Sequence, residues 1–337
     1  MEVLEARGTS LTVRIGDLAL ANPVMPASGC FGPELGGIIP LERLGALVTK
    51  TVFSGIRSGN RAHRLTESAN GMLNSVGIPS LAKAGFVKHL LPGYLAPQVP
   101  LIISIGGLAL EEYWAVTEEL FDVPYAALEV NVSCPNLEQG GLEVGADPRQ
   151  VEMVIKGVVE RTDRPVIAKL TPNVTRIEDI ARAAELGGAV AVTVANTFVG
   201  MAIDLKDRRP VLGNITGGLS GPAIKPLALR LVWQAARAVE IPVIGCGGIA
   251  TARDALEFLV AGATAVQVGT ATFTRPDSMI RILNDLPRLL DELGAGSVQE
   301  VIGTLDTQGN CQGTTSDALA RRMAEHRPAP DDHGRTQ

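Results

Sequence analysis

The segment Glu129-Val-Asn-Val-Ser-Cys-Pro-Asn136 sets a thiol and two amides at the end of an apolar run, directly before a glycine-spaced stretch. Cys134 there can serve as a base or a nucleophile, and Asn131 and Asn136 each bring a donor and an acceptor to a planar polar ligand. The glycines let Leu137 to Gly145 move over a bound molecule, so this stretch is expected to be a lid. Lysines stand at two comparable junctions, Lys50 in Val48-Thr-Lys-Thr51 and Lys169 in Ile167-Ala-Lys-Leu170. An ammonium among apolar neighbours needs an anion or an electron-rich ring to face, and a Schiff base of the aldolase kind is the alternative use of either one.

The elements that must position these groups follow one repeated pattern. After an alternating pair, Leu11-Val13-Ile15 and Leu18-Leu20 around Gly16-Asp17, which predicts a hairpin, apolar runs begin near Val24, Leu47, Leu101, Leu128, Val166, Val190, Val243 and Val266. They are nearly continuous in Val, Ile, Leu and Ala, as parallel strands buried on both faces require. Helical stretches intervene at Glu111 to Phe121, Asp147 to Arg161, Ile177 to Leu186, Lys225 to Val239 and Ala252 to Ala261. Eight such units predict an α/β fold, a (β/α)8 TIM barrel, occupying residues 1–306 as one domain. Two connections are long, Ser54 to Gln98 and Thr197 to Lys225, and both are expected over the C-terminal mouth where barrels do their chemistry. Residues 307–337 read as a mobile tail with a short helix around Asp317 to Glu325.

Composition removes several function classes. The chain has 337 residues, a net charge of -6 and scattered basic residues, so it offers no electrostatic footprint for nucleic acid. Cys30, Cys134, Cys246 and Cys311 form no Cys-x-x-Cys pair, and the four histidines show no His-Glu-x-x-His spacing, so no metal site is expected. No apolar run reaches the roughly 18 residues of a spanning helix and no leader pattern opens the chain. The expectation is a cytoplasmic protein that does not enter membranes.

The residues just past the eight strand ends are Ala27-Ser28-Gly29, Lys50-Thr51, Ser104, Asn131 with Cys134, Lys169, Asn196-Thr197, Gly247-Gly248 and Gly269-Thr270. Polar, cationic and glycine residues converge where a purely structural core would be apolar. The last two junctions, each followed by a helix, are where barrels commonly hold a phosphate, because glycine lets it approach backbone N–H groups at a helix N-terminus. Gly221 can join them from the loop after the sixth strand. There is no Gly-x-Gly-x-x-Gly run after the first strand, so a nicotinamide site is not indicated. Asn74 and Asn196, from the long connections, join Asn131 and Asn136 in a ring of amides suited to a heterocycle.

Ala27-Ser-Gly29, Thr49-Lys-Thr51, Met72-Leu-Asn-Ser-Val-Gly77, Asn131-Val-Ser-Cys-Pro-Asn136, Ala195-Asn-Thr197, Gly217-Gly-Leu-Ser-Gly-Pro-Ala-Ile-Lys-Pro226, Gly245-Cys-Gly-Gly248 and Val268-Gly-Thr270 together resemble the class 1 dihydroorotate dehydrogenases, from about Leu11 to Leu305. The Gly217 to Pro226 motif and Gly200-Met-Ala-Ile-Asp204 resemble subclass 1B, the catalytic subunit of the NAD-linked enzyme. The resemblance implies FMN at the barrel mouth and oxidation of (S)-dihydroorotate to orotate in pyrimidine biosynthesis. It assigns Cys134 to the C5 proton, the C6 hydride to flavin N5, Lys169 to the charge beside the flavin and Lys50 to both substrate and flavin. It implies a substrate set of Lys50, Asn74, Val76, Gly77, Ile78, Asn131, Asn136, Asn196 and Thr197. For the cofactor it implies Ala27, Ser28, Lys50, Thr51, Asn131, Lys169, Ala195, Gly221, Gly247, Gly248, Gly269 and Thr270. It also implies a homodimer and a second subunit carrying FAD and an iron–sulfur cluster. Two departures stand out. Ser104 replaces the usual asparagine at the third strand end and is expected to reach a flavin only through water, and Ile78-Pro-Ser-Leu81 replaces the usual run after Gly77. A related flavin barrel acting on another dihydropyrimidine, a flavin-free aldolase and a non-catalytic flavin binder are the alternatives.

Overall fold

The computed structural model describes residues 9–133 and 144–308. Eight strands form its central sheet: β1 (Val24–Pro26), β2 (Leu47–Val48), β3 (Leu101–Ile105), β4 (Ala127–Asn131), β5 (Val166–Lys169), β6 (Ala191–Val194), β7 (Val243–Cys246) and β8 (Ala263–Val268). Every hydrogen-bonded neighbour pair is parallel, and the order runs β1-β8-β7-β6-β5-β4-β3-β2. The remaining seam, between β1 and β2, is bridged by the Gly45 amide, which donates to the Val24 carbonyl at 2.9 Å. A side chain at Gly45 would strike the Asn22 carbonyl oxygen at 2.1 Å, so only glycine allows this approach. The sheet thus closes as the (β/α)8 barrel expected from the eight runs, and β3, β4, β5, β6 and β7 are buried at every residue.

Local chemistry fixes the crossover helices. The helix Pro148–Val159 opens with proline in its first turn and Asp147 accepting from the Arg149 amide at 2.9 Å. Ala252–Val260 opens with a capping box between Thr251 and Asp254. The helix Ile177–Leu186 has the bounds its pattern predicts; β8 starts at Ala263, earlier than the apolar run suggests.

The opening residues form the expected hairpin, Val13–Ile15 against Leu18–Leu20. The two long connections do something the sequence pattern conceals. Together they build a second, antiparallel sheet of four strands, ordered Phe198–Met201, Thr216–Ser220, Gly71–Asn74, Leu65–Ser68. The compact unit ends at Thr304. The expected tail lies outside the described residues apart from Thr307 and Gln308.

Candidate active site at the barrel mouth

A cavity of about 530 Å³ lies at the C-terminal ends of the strands, roofed in part by the four-stranded sheet. Every described residue put forward for substrate or cofactor lines it: Ala27, Ser28, Lys50, Thr51, Asn74, Val76, Gly77, Ile78, Asn131, Lys169, Ala195, Asn196, Thr197, Gly221, Gly247, Gly248, Gly269 and Thr270. Cys134, Asn136 and Leu137–Glu143 of the expected lid lie outside the described residues; Val144–Ala146 forms a short 3-10 turn at the end of that stretch. Ser133, the residue before Cys134, does line the cavity.

Asn131 is oriented by its surroundings. Its carbonyl Oδ1 accepts from Asn196 Nδ2 at 3.3 Å and from the Ser133 amide at 3.2 Å, while its backbone carbonyl accepts from the Tyr113 hydroxyl at 3.0 Å. With Oδ1 so engaged, the Nδ2 donor is the end left to a ligand. Asn196 is set by its own Oδ1 accepting from the Thr197 amide at 2.8 Å, and Asn74 by donating to the Gly218 carbonyl at 3.4 Å across the upper sheet. Three amides from two barrel strand ends and the roof therefore meet in one place.

The opposite end of the cavity is glycine. Gly221, Gly247 and Gly248 all adopt positive φ, and a side chain at Gly248 would press within 2.7 Å of the Lys225 amide at the start of the helix Lys225–Ala236. Thr270, beside Gly269, donates from Oγ1 to Ser220 Oγ at 2.7 Å and ties β8 to the roof.

Lys50, Arg57 and Lys169 line the cavity, and among the described residues no carboxylate does. A chain with a net charge of -6 thus presents a cationic pocket. Burial, and then the nearby Arg64, pull the Lys50 ammonium below the ordinary lysine value. Lys169 behaves differently: burial pulls it down, but the Glu129 carboxylate beneath it, with Cys246 and Cys30 nearby, pushes the other way, and the net shift is upward. Burial raises the Cys30 thiol to about 11 and the Cys246 thiol above its ordinary value, so both are neutral at physiological pH.

Ser104 departs from its expected place. It is fully buried, is not part of the cavity lining, and its hydroxyl meets that of Thr51 at 3.0 Å. Its short side chain positions Thr51 instead of pointing at a ligand. Sequence reasoning also passed over Arg57, Asn60 and Ser220, which line the cavity from the long loops, Asn173, which lines it from the loop after β5, and Glu129 and Gln267 below it. A glutamate inside Ala127–Asn131 and a glutamine inside Ala263–Val268, both otherwise apolar runs, were the available signal.

Residues 10–290 match the family model described as dihydroorotate dehydrogenase. The chain belongs to the dihydroorotate dehydrogenase family. Relatives named dihydroorotate dehydrogenase B (NAD(+)), catalytic subunit, are 48% identical over 300 residues in Geotalea uraniireducens, covering 88% of this chain and 98% of the relative. The protein of that name in Geobacter sulfurreducens is 48% identical over 299 residues, with the same two coverages. In Trichlorobacter lovleyi the figure is 47% over 300 residues, 88% of this chain and 99% of the relative. The shared span embraces both the barrel and the four-stranded roof. Among the described residues no helix is long and apolar enough to cross a membrane.

Proposed function

We propose that this chain is the FMN-containing catalytic subunit of an NAD-linked dihydroorotate dehydrogenase, oxidising (S)-dihydroorotate to orotate in de novo pyrimidine biosynthesis. The observation that carries the reading is a cavity whose described lining holds cations and no carboxylate, with glycine junctions at one end and three amides at the other. The substrate is a carboxylate on a ring with several carbonyl and N–H groups, and FMN brings a phosphate. The residues fit FMN: Gly221, Gly247 and Gly248 line one end of the cavity with positive φ, so backbone rather than side chains faces the space a phosphate would fill. Gly221, Gly269 and Thr270 would hold the same end, and Ala27, Ser28, Thr51, Asn131, Lys169 and Ala195 the ring system. FMN held there supplies the two-electron acceptor for the hydride that leaves C6.

The chain's own residues do the rest. Lys50 faces the substrate carboxylate, and Asn74, Asn131, Asn136 and Asn196 bind the ring edge with Thr197 and the backbone of Val76 to Ile78. Orientation of this kind accounts for a large share of a barrier because the reacting atoms are held close and aligned. Cys134 takes the C5 proton; a thiol whose ordinary value is about 8.5 is a base that a neighbouring charge can tune toward neutrality. The C5 proton goes to sulfur, the C6 hydride leaves with both bonding electrons, and the ring double bond of orotate remains. Onward transfer to NAD calls for a partner subunit carrying FAD and an iron–sulfur cluster, and the catalytic chain is a homodimer acting in the cytoplasm.

Anaerobic mixing of the FMN-loaded protein with dihydroorotate tests the reading directly. The yellow absorbance should bleach within seconds, and much more slowly with dihydrouracil, which lacks the carboxylate. A flavin that dihydroorotate does not bleach would rule the proposal out. Cys134→Ala should retain FMN and bleach at least a hundredfold more slowly, in line with loss of a general base.

A further inference from the structure

Below the cavity floor the barrel core holds a polar layer where such barrels ordinarily place Val, Ile and Leu. Glu129, Thr193 and Gln267 come from β4, β6 and β8, alternate strands of one layer, and all three are at most 1% exposed. Glu129 Oε2 accepts from the Thr193 hydroxyl at 3.1 Å and from Gln267 Nε2, while Gln267 Oε1 accepts from Lys169 Nζ at 2.9 Å. Lys169 Nζ also donates to Ser28 Oγ at 3.3 Å and stands 3.6 Å from Glu129 Oε1. Among the described residues that Oε1 accepts no hydrogen bond, so this oxygen of the carboxylate faces the ammonium directly.

Burying such a pair costs several kcal/mol of desolvation, and apolar replacements often fold as well or better. The groups facing Lys169 are Glu129 from β4, Gln267 from β8, Ser28 and Cys30 from the segment after β1, and Cys246 from β7. Both thiols are raised above their ordinary value, so among the described residues facing Lys169 the anion is Glu129.

We propose that Glu129 is a positioning residue that keeps Lys169 permanently protonated beneath the bound flavin, with Gln267 and Thr193 fixing the carboxylate in place. This rests on the FMN site proposed above. Its consequence is a proton count. With Lys169 already charged, reduction of the bound FMN takes up two electrons and one proton and leaves an anionic ring against the ammonium. Without Glu129, a fully buried lysine sheds its proton. Reduction then takes up two electrons and two protons, the second landing on Lys169 as negative charge arrives above it.

The experiment is anaerobic potentiometry of the FMN-loaded protein from pH 7 to 9, which reads the count from the slope of midpoint potential against pH. Wild type should show one proton per two electrons throughout. Glu129→Gln, which preserves shape and most hydrogen bonds, should show two, with a lower midpoint potential. A wild-type count of two overturns the inference even if the variant does not fold. A count of one in Glu129→Gln overturns it as well. Failure of the protein to bind FMN at all would instead refute the site on which it rests.

Discussion

Lys50 and Lys169 occupy matching strand ends yet are tuned in opposite directions. Lys169 has a carboxylate beneath it; Lys50 has burial and Arg64, both of which favour the uncharged amine. Lys50 is therefore the cation with something to gain from an anionic ligand. A charge-assisted hydrogen bond is worth about 1.5–3 kcal/mol, so Lys50→Ala should weaken orotate binding by roughly 10- to 150-fold. The sign of the pH dependence follows from which form binds: the ligand selects the ammonium, so affinity should fall as pH rises through a value below the ordinary 10.5. Titration of the flavin spectrum with orotate between pH 7 and 10 measures both effects, and Lys50→Arg should flatten the alkaline limb. The two lysines were legible in the sequence because each interrupts an apolar run at a strand end. Their difference was not, since it depends on Glu129 lying below one of them across a strand pairing that spacing alone does not reveal.

The barrel strands announced themselves because both of their faces are buried, which leaves uninterrupted apolar runs. The roof strands did not. Leu65–Ser68 is mostly exposed, Thr216–Ser220 carries two glycines and is mostly part-exposed, and the pairing of Thr216–Ser220 with Gly71–Asn74 joins segments far apart in the chain. A single window of sequence cannot show a sheet assembled from two separate loops. Gly218 is where that sheet meets the substrate end of the cavity: it pairs with Asn74, and a Cβ there would fall 2.0 Å from Thr197 Oγ1. Gly218→Ala must displace Thr197 or the strand bearing Asn74. Overpacking of this sort typically costs about 1–3 kcal/mol. The glycine junctions at Gly247, Gly248 and Gly269 are at the other end, so the variant should keep a full complement of FMN while its orotate dissociation constant rises about tenfold or more. Measuring flavin content and orotate affinity on the same preparation separates local displacement from general damage.

At the scale of the whole molecule, several groups with raised proton affinity, Tyr94, Tyr125 and Cys30 among them, give the fold a common response to alkali. Tyr94 is 2% exposed and donates its hydroxyl to the Phe31 carbonyl at 3.3 Å. Burial raises it to about 12 from an ordinary 10.0, while Cys30 rises to about 11 from 9.0. In each case the unfolded chain loses its proton first, so above the ordinary value the unfolded state binds fewer protons than the folded one. Stability is then complete below about pH 9 and falls as pH climbs through 9 to 11 for Cys30 and 10 to 12 for Tyr94. Lys169, also raised, acts in the same direction, and Lys50, which is lowered, opposes it over a window below 10.5. A shift of two units corresponds to at most about 3 kcal/mol. Calorimetry of the FMN-loaded protein should show a Tm that is level from pH 7 to 9 and drops steadily above. Tyr94→Phe should lower Tm slightly at pH 8, through loss of one hydrogen bond worth about 1 kcal/mol, and should make the decline beyond pH 10 shallower. A parallel decline in that variant would show that the alkaline loss arises elsewhere in the fold.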